Sequence, residues 1–315
     1  LSMKTVVLDG KTLGGDVDLT VLGDDLTVYG TTSPDLISER IADNEAVIVN
    51  KIKLNEGNLC SAENLKLICV AATGYDNIDT EYCKSRGIAV CNVCGYSTES
   101  VAQLTLTMAL SLVTHLPEYT RFVASGEYTA SGVANRLIPV YHELAGKTWG
   151  IVGLGNIGKQ VAKIADAFGC KILAFKRTPD STYNCVPLAE LMEKSDIISV
   201  HLPSGRETNG IISAEMICRM KKNAIFINVA RGAVTDEEAL AKAILDGKIA
   251  GAGIDVYSKE PFGAEHCFNK IMNMDNVILT PHIAWGTYEA RTRCIEEMRK
   301  NIDAFEGGKV RNRIV

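Results

Sequence analysis

The stretch from Trp149 to Gly169, WGIVGLGNIGKQVAKIADAFG, decides how the rest of the chain is expected to fold. It opens with the short apolar run Ile151-Val152 and then turns at closely spaced glycines. After the turn, apolar residues recur at three- and four-residue spacing, which is the pattern of one helix face. These residues are Ile157, Val161, Ile164, Ala165 and Phe168. The stretch therefore predicts a strand, a tight turn and a helix.

The glycines of this turn, Gly153, Gly155 and Gly158, have the G-x-G-x-x-G spacing. In such a turn the first glycine permits the tight bend, the second lets a pyrophosphate approach the backbone, and the third lets the helix lie close on the strand. The free amides at the helix N-terminus would face the phosphates. A tight turn without a ligand has the same spacing. A further apolar strand at residues 171–175 makes the context that of a dinucleotide site.

Length and composition are those of an ordinary globular protein. The 315 residues suffice for two domains, with 46% hydrophobic residues, 23% charged residues and a net charge of -5. The acidic balance argues against nucleic acid as a main partner. No apolar run approaches the roughly 18 to 20 residues that a membrane span needs, so we expect no membrane partner. Residues 4–10, KTVVLDG, enter an apolar strand without a signal-peptide pattern, and we therefore expect a cytoplasmic protein.

The ten cysteines are scattered through expected strands and helices, as at Cys69, Cys91, Cys170 and Cys218. This distribution suits buried thiols in a reducing compartment better than a disulfide framework. Cys91 and Cys94 form a C-x-x-C pair, but a zinc site would need a second pair or a histidine couple at ligand spacing nearby. We therefore predict no metal site.

The first part of the chain, residues 3–98, alternates short apolar runs with helix-start signals. Helices are expected to begin near Ser33, Ser61 and Thr80, each at a Ser or Thr cap. Strands that alternate with short helices imply a parallel sheet with helices on both faces. The strands are expected at residues 5–8, 26–29, 46–49, 67–71 and 89–92.

Residues 97–116, STESVAQLTLTMALSLVTHL, predict a long helix that is apolar on nearly all sides. Such a helix needs cover on several sides, so we expect it between the domains or at the interface of a homodimer. Residues 117–147 mix Gly, Ser, Tyr and Pro and are expected to form a loop-rich arm.

The second half repeats the strand and helix alternation, beginning with the pair over residues 148–175, which includes the strand at 171–175, and continuing with strands at residues 197–200, 224–229, 250–255 and 277–279. A helix is expected over residues 287–305, and the final residues, GGKVRNRIV, should return to the first domain. The fold class is therefore α/β, with two open parallel-sheet, Rossmann-like domains. Residues 1–98 with 288–315 form a substrate-binding domain that is split by insertion of a dinucleotide-binding domain, residues 99–287.

Polar residues suited to act on a substrate follow three strands of the second half. Arg231, in FINVARG, offers a planar fork of donors that matches a carboxylate. Glu260 stands in DVYSKEP, and His282 stands in ILTPHIAWGT. Taken singly, they also fit a solvated arginine, a surface acid and a structural imidazole. Because all three follow strands of the sheet whose first turn carries the glycines, we expect them to point into one crevice.

The chain resembles the D-isomer-specific 2-hydroxyacid dehydrogenase family over nearly its whole length, and within it the glycerate dehydrogenase or hydroxypyruvate reductase branch. The resemblance implies hydride transfer between NAD(P)H and a small 2-oxo acid of the hydroxypyruvate or glyoxylate type, giving the D-2-hydroxy acid. The motifs that carry it are VNKIKL (49–54), VAATGYDNID (70–79), CNVCGYSTESVAQ (91–103), GLGNIG (153–158), NVARG (228–232), GIDVYSKEP (253–261) and TPHIAWGT (280–287).

By position, the resemblance implies that Arg231 grips the substrate, His282 is the acid-base residue, and Glu260 is its carboxylate partner. Asp255 would bind the nicotinamide carboxamide. The substrate-binding residues are expected to be Lys51, Thr73, Gly74, Arg231 and Trp285. The cofactor-binding residues are expected to be Gly153, Gly155, Asn156, Ile157, Gly158, Lys176, Arg177, Thr178, His201, Pro203, Val229, Ala230, Arg231, Asp255, His282 and Ala284.

The end of the second strand after the glycine turn bears on the choice of cofactor. An acidic residue there normally binds the ribose 2′-hydroxyl, but this chain has Lys176, Arg177 and Thr178. Two cations and a hydroxyl favour a 2′-phosphate and thus NADP(H) over NAD(H). A solvated basic turn that leaves NAD(H) as the better ligand is the alternative.

A second function class also fits the fold. The chain is similar in fold to the C-terminal-binding transcriptional co-repressors, which implies a dinucleotide-sensing regulatory protein with weak or no dehydrogenase activity. The chain lacks the long disordered tails and basic stretches that such a role favours. The enzyme is therefore the leading interpretation.

Overall fold

A computed structural model describes residues 2–178 and 181–315 of the chain. Its strands are β1 (Thr5–Val7), β2 (Leu26–Val28), β3 (Ala46–Val49), β4 (Leu67–Val70), β5 (Ala89–Cys91), β6 (Thr148–Val152), β7 (Lys171–Phe175), β8 (Asn184–Cys185), β9 (Ile197–Val200), β10 (Ile225–Asn228), β11 (Gly251–Ile254) and β12 (Val277–Leu279). Its α-helices are α1 (Ile37–Ile41), α2 (Glu56–Leu59), α3 (Thr80–Ser85), α4 (Thr98–Val113), α5 (Leu116–Ala124), α6 (Glu127–Ser131), α7 (Asn156–Ala167), α8 (Leu188–Lys194), α9 (Ala214–Arg219), α10 (Glu237–Leu245) and α11 (Tyr288–Glu306).

The chain divides into two compact units, Leu1–Ser97 with Trp285–Val315, and Thr98–Ala284. Each unit is built on one parallel sheet, with the strand order β2-β1-β3-β4-β5 in the first and β12-β11-β10-β9-β6-β7-β8 in the second. The predicted α/β class with two open parallel sheets is confirmed.

In the first unit, apolar side chains cover both faces of the sheet. The central strands β3 and β4 are buried at every residue, as expected for parallel strands covered on both sides. Helix α11 packs on one face with Cys294 and Met298, and α1 packs on the other with Ile37 and Ile41. The chain's last residues pair with β5, where Ile314 N donates to Val90 O at 2.7 Å. The C-terminal segment therefore returns to this sheet, as predicted.

Helix starts in the first unit differ from the expected Ser and Thr caps. No helix begins at Ser61, because α2 ends at Leu59 and is capped at its start by the side chain of Asn55. Helix α3 begins at Thr80, but the carboxylate of Asp79 makes the cap. At Ser33 the side chain makes no cap hydrogen bond. Asn and Asp rival Ser as caps, so the neighbouring Asx residue was the better signal.

The predicted long helix of residues 97–116 is shorter than expected. Helix α4 ends at Val113, the backbone enters the left-handed region at His115 with φ 51°, and α5 begins at Leu116. Pro117 stands in the first turn of α5, where its missing N–H costs no hydrogen bond, although it would break a continuous helix. Helices α5 and α6 occupy the first part of the stretch expected to be a loop-rich arm, so that expectation was wrong up to residue 131, whereas residues 132–147 contain no helix or strand, as expected.

In the second unit, α4 packs closely on the sheet because small residues face it. A Cβ at Gly253 of β11 would lie 3.0 Å from Met108, so the helix approaches the strand where no side chain intervenes. Val101, Met108 and Leu112 are buried within this unit, whereas Leu106 and Leu110 are half-buried. Across residues 2–178 and 181–315, no helix has both the length and the hydropathy to cross a membrane.

Candidate active site

The glycine turn after β6 has the geometry that its spacing predicts. Gly153 has φ 101°, and a Cβ there would lie 2.8 Å from the carbonyl oxygen of His201. A Cβ at Gly158 would lie 2.1 Å from the carbonyl oxygen of Gly153, so α7 rests directly on the turn. At Gly155, by contrast, no heavy atom of the described residues lies within 4 Å of an added Cβ. The turn is therefore closed on the protein side and open where a pyrophosphate would approach the first amides of α7.

The ring of His201, after β9, also fits a bound cofactor. Trp149 Nε1 donates to Ser199 Oγ at 2.9 Å, and this hydroxyl lies 2.9 Å from His201 Nε2. The tautomer of the ring decides which of these two groups donates in the contact. Burial lowers the pKa of His201 to about 3, so the ring is neutral. Its Nδ1 is buried and has no hydrogen-bond partner among the described residues, which leaves this nitrogen available to a polar group of a bound ligand.

The loop after β10 carries Arg231 and is shaped by a buried asparagine. Asn228 Oδ1 accepts from Ala230 N at 3.0 Å, and its Nδ2 donates to the carbonyl oxygen of Arg231 at 2.9 Å. The predicted cofactor residues Val229 and Ala230 lie in this loop. Arg231 Nη1 donates to the carbonyl oxygen of Ala230 at 2.8 Å. We did not single out Asn228 from the sequence, although an Asn at a strand end is a known turn signal.

Glu260 and His282 form a hydrogen-bonded pair although they are 22 residues apart in sequence. Glu260 Oε2 lies 2.6 Å from His282 Nδ1, and Glu260 Oε1 accepts from Tyr257 N at 3.0 Å. The side chains are 32% and 19% exposed, respectively. An imidazole held at Nδ1 by a carboxylate has its orientation fixed and presents Nε2 for proton transfer. This arrangement is suited to general acid-base chemistry.

The buried carboxylate of Asp255, at the end of β11, organises the loop that carries His282. It accepts from Thr280 Oγ1 at 2.5 Å and from the N–H groups of Ile283 and Ala284 at 2.8 Å each. The carbonyl oxygen of Asp255 accepts from His282 N at 2.8 Å, and His282 has the left-handed φ of 54°. Burial raises the pKa of the Asp255 carboxyl, and these hydrogen bonds act in the opposite direction. The predicted contact with the nicotinamide carboxamide stays a prediction.

In the first unit, a second buried carboxylate holds the loop that carries Lys51. Asp9, after β1, accepts from the N–H groups of Asn50 at 2.9 Å, Lys51 at 2.6 Å and Ile52 at 3.2 Å. Lys51 Nζ lies 6.0 Å from the centre of the Trp285 ring. Trp285 Nε1 is buried and finds no hydrogen-bond partner among the described residues. We did not single out Asp9 from the sequence, because its partners lie about 41 residues away.

The segment of Thr73 and Gly74 is braced from the neighbouring strand end. Thr73 Oγ1 donates to the carbonyl oxygen of Val93 at 2.8 Å, and Asn92 Nδ2 donates to the carbonyl oxygen of Thr73 at 2.7 Å. The hydroxyl and carbonyl of Thr73 are thereby engaged. What remains for a substrate in this segment is the backbone N–H groups, which suit a carboxylate.

The basic end of β7 is exposed. Arg177 Nη1 lies 2.7 Å from Glu207 Oε2, and the two side chains are 85% and 74% exposed. Lys176 is half-buried and Thr178 is exposed. Pro203 lies in the loop after β9, and Asn156 and Ile157 form the first turn of α7. All of the predicted cofactor residues therefore follow strands of the second unit or open a helix there.

The ten cysteines are free thiols. Cys69, Cys91 and Cys170 are buried, as predicted, whereas Cys218 is exposed and Cys94 is exposed. Within residues 2–178 and 181–315, no group of three or more His, Cys, Asp and Glu side chains is placed to hold a metal ion.

Comparison with known proteins gives consistent matches. Residues 106–284 match the family "D-isomer specific 2-hydroxyacid dehydrogenase, NAD binding domain". The chain is 35% identical to the glycerate dehydrogenase of Methylorubrum extorquens, with 99% of each chain covered. It is 35% identical to the hydroxypyruvate reductase of Blautia hydrogenotrophica, covering 97% of this chain and 98% of the relative. It is 41% identical to the glyoxylate reductase of Thermococcus litoralis, covering 82% and 79%.

Solved structures share the fold over nearly the full length. A D-lactate dehydrogenase from Aquifex aeolicus, complexed with NAD and lactic acid, has a TM-score of 0.83 and 32% identity, with 96% of each chain covered. An acyclic imino acid reductase, Bsp5, in complex with NADPH and D-Arg, has a TM-score of 0.83 and 26% identity, covering 99% of this chain and 100% of that one. Similar structures thus include both an NAD complex and an NADPH complex.

Proposed function

Because the chain belongs to the D-isomer specific 2-hydroxyacid dehydrogenase family, we propose that this NAD(P)-dependent dehydrogenase reduces a 2-oxo acid of the hydroxypyruvate or glyoxylate type to its D-2-hydroxy acid. The observation that carries the proposal is the hydrogen-bonded pair of Glu260 and His282, with 2.6 Å between Oε2 and Nδ1, in the same unit as a dinucleotide turn whose second glycine is open. A dinucleotide-sensing regulatory protein is not favoured, since the similar proteins named above are enzymes.

The reaction follows from the chemistry of these side chains. Bound NAD(P)H supplies the hydride that adds to C2 of the 2-oxo acid. As the electron pair of the carbonyl bond moves to oxygen, protonated His282 donates its Nε2 proton to that oxygen. Glu260 holds Nδ1 and favours the charged ring during the transfer. Arg231 orients the carboxylate and stabilises the developing negative charge.

Residues of the first unit are assigned to substrate recognition. The backbone N–H groups of Thr73 and Gly74 hold the substrate carboxylate. Lys51 and Trp285 are assigned to the substituent on C2 of the substrate, which is a hydroxymethyl group in hydroxypyruvate and a hydrogen atom in glyoxylate. A panel of 2-oxo acids assayed with NADPH and NADH tests the assignment, and we expect hydroxypyruvate and glyoxylate to have the highest kcat/KM. Failure of every 2-oxo acid to oxidise either cofactor would refute the proposed function.

For the cofactor, we propose a preference for NADPH. The exposed ion pair of Arg177 and Glu207 is worth only about 0 to 1 kcal/mol, so a 2′-phosphate can replace the glutamate at little cost. Charge-assisted hydrogen bonds from Lys176 and Arg177 favour NADPH by a net of roughly 2 kcal/mol, or about 30-fold. The test is the ratio of kcat/KM for NADPH and NADH in wild type and in the double variant Lys176→Asp, Arg177→Ala. Lys163→Ala, an exposed cation on α7, is the control.

A wild type that prefers NADH would contradict this assignment, as would a double variant whose ratio equals that of the control. We also propose that the protein works in the cytoplasm, a reducing compartment in which free thiols persist.

We further propose that the protein is a homodimer formed around α4 and the segment that follows it. The support is a run of exposed apolar side chains, since monomers rarely leave such a contiguous set in water. Its members are Leu116, Val123, Tyr128, Val133, Leu137, Ile138, Val140 and Tyr141, which are 39% to 71% exposed. Light scattering at micromolar concentration should give a dimer, and the double variant Leu137→Asp, Val140→Asp should be a monomer. Wild type that scatters as a monomer would contradict the proposal.

A further inference from the structure

The second unit contains a polar network, formed by the largely buried side chains of Glu237 and His266 and the exposed Ser258, that the proposed mechanism does not use. Glu237, at the start of α10, has a side chain that is 10% exposed. Its Oε1 accepts from the backbone N–H of Ser258 at 2.9 Å, and its Oε2 accepts from the hydroxyl of the same serine. His266 Nε2 lies 3.2 Å from Oε2. One carboxylate thus holds both the backbone and the side chain of Ser258.

His266 completes this network. Its Nδ1 accepts from Phe268 N at 3.3 Å, so in the neutral ring the proton lies on Nε2 and is donated to Glu237. The imidazole is 12% exposed and lies against the rings of Tyr257 and Phe262, with centroids 6.2 and 4.7 Å away. A network in which each member is satisfied is rigid, because losing one bond strands a buried polar group.

The network does not have the order of a hydrolytic triad. The hydroxyl of Ser258 is bonded to the carboxylate of Glu237, whereas a nucleophilic serine is bonded to the imidazole that takes its proton. A nucleophilic role is therefore not supported. The hydrogen bonds instead fix the position of the segment from residue 257 to residue 260.

This segment ends at Glu260, and it is held from two sides. Tyr257 N donates to Glu260 Oε1 at 3.0 Å, so displacement of residue 257 moves the carboxylate that holds His282. On the other side, a Cβ at Gly232 would lie 2.0 Å from the carbonyl carbon of Tyr257 and 2.1 Å from Ser258 N. Gly232 therefore packs directly on the peptide bond between Tyr257 and Ser258, and the hydrogen bond from Ser258 N to Glu237 holds this peptide in place.

We propose that Glu237, Ser258 and His266 form a latch that positions Glu260 for its contact with His282. The latch residues are positioning residues, since their hydrogen bonds connect them to Glu260 through the segment from residue 257 to residue 260. The inference rests on the proposed function, because it acts through the partnership of Glu260 and His282. A small displacement of a catalytic side chain lowers the rate of the chemical step, whereas the affinity for a ligand group that is bound elsewhere is retained.

A double-mutant cycle on the full-length protein tests the latch. Glu237→Gln should lower kcat roughly 10-fold in wild type, and Ser258→Ala should lower it by a smaller factor, with the affinity for NADPH unchanged. In a Glu260→Gln background both substitutions should have no further effect, because the residue through which they act has lost its function. Glu238→Gln, an exposed acid in the same helix turn, is the matched control and should retain wild-type kcat.

Two results would overturn the latch: a Glu237→Gln variant with wild-type kcat, or losses of equal size in the wild-type and Glu260→Gln backgrounds. If Glu237→Gln folds poorly, as judged by thermal unfolding, the same cycle with Ser258→Ala decides. A Glu260→Gln variant as active as wild type would instead refute the proposed role of Glu260, so that the two failures are distinguishable.

Discussion

Two single substitutions in the turn after β6, Gly155→Ala and Gly158→Ala, should have opposite effects. The first should weaken cofactor binding, and the second should lower the stability of the fold. At Gly155 the φ of -83° suits any residue, and an added Cβ has no heavy atom of the described residues within 4 Å. Alanine restricts the unfolded chain, which stabilises by about 0.4 to 1 kcal/mol, but it is a poorer N-cap than glycine. These effects oppose each other, so the free energy of unfolding should change by less than about 1 kcal/mol.

The methyl group at residue 155 would occupy the space through which a pyrophosphate approaches. Loss of one charge-assisted hydrogen bond costs about 1.5 to 3 kcal/mol, which corresponds to roughly 10- to 150-fold in affinity. Gly158→Ala should behave in the opposite way. Its Cβ would lie 2.1 Å from the carbonyl oxygen of Gly153, whereas ordinary contacts begin at 3.4 Å, so helix and turn must separate. Alanine has a higher helix propensity than glycine, which offsets about 1 kcal/mol of the cost of this separation. We therefore expect a net loss of about 2 kcal/mol in the free energy of unfolding.

Two measurements check these expectations. Thermal unfolding without cofactor reports stability, and fluorescence titration with NADPH and with NADH reports affinity. Gly15→Ala is the control, since no heavy atom of the described residues lies within 4 Å of its added Cβ. If Gly155→Ala bound both cofactors as tightly as wild type, the turn would not hold a pyrophosphate. If Gly158→Ala unfolded like wild type, the close contact of helix and turn would not be the reason for its glycine.

Three further predictions concern single side chains. His282→Ala should lower kcat roughly 100- to 10,000-fold with little change in cofactor affinity, and a variant with half the wild-type kcat would rule out the acid-base role. Arg231→Lys should raise KM and lower kcat because it keeps the charge but loses the fork, and wild-type kinetics would show that a simple charge suffices. Burial acts to raise the pKa of Asp196, but hydrogen bonds from Thr148 N and Lys221 Nζ outweigh it and leave the pKa below its usual value. Its stabilisation is therefore present above about pH 4 and lost as the pH falls through the lowered pKa. The difference in unfolding free energy between wild type and Asp196→Asn should shrink in acid, and a constant difference from about pH 7 to pH 3 would contradict this.

The sequence alone was sufficient for the turn and for the strands other than the two-residue β8, which was not predicted. Parallel strands that are buried on both faces are continuous apolar runs, so β3 and β9 were predicted with the bounds that the structure has. The glycine spacing is a local property of backbone sterics, and Gly153 and Gly158 show the predicted close contacts. Helix caps were less predictable, because Asn55 and Asp79 competed with nearby Ser and Thr residues for the same role.

Sequence patterns also brought Arg231, Glu260 and His282 into consideration, because ligands gather at the carboxyl ends of parallel strands. Their roles in catalysis stay predictions. Sequence patterns could not show which carboxylate accepts hydrogen bonds from which loop. Asp9 accepts amides 41 to 43 residues away, and Glu237 holds a serine 21 residues away. Such pairs depend on where strand ends and helix starts meet after packing. A buried carboxylate is stable only when distant backbone donors reach it, and only the tertiary structure decides which donors do.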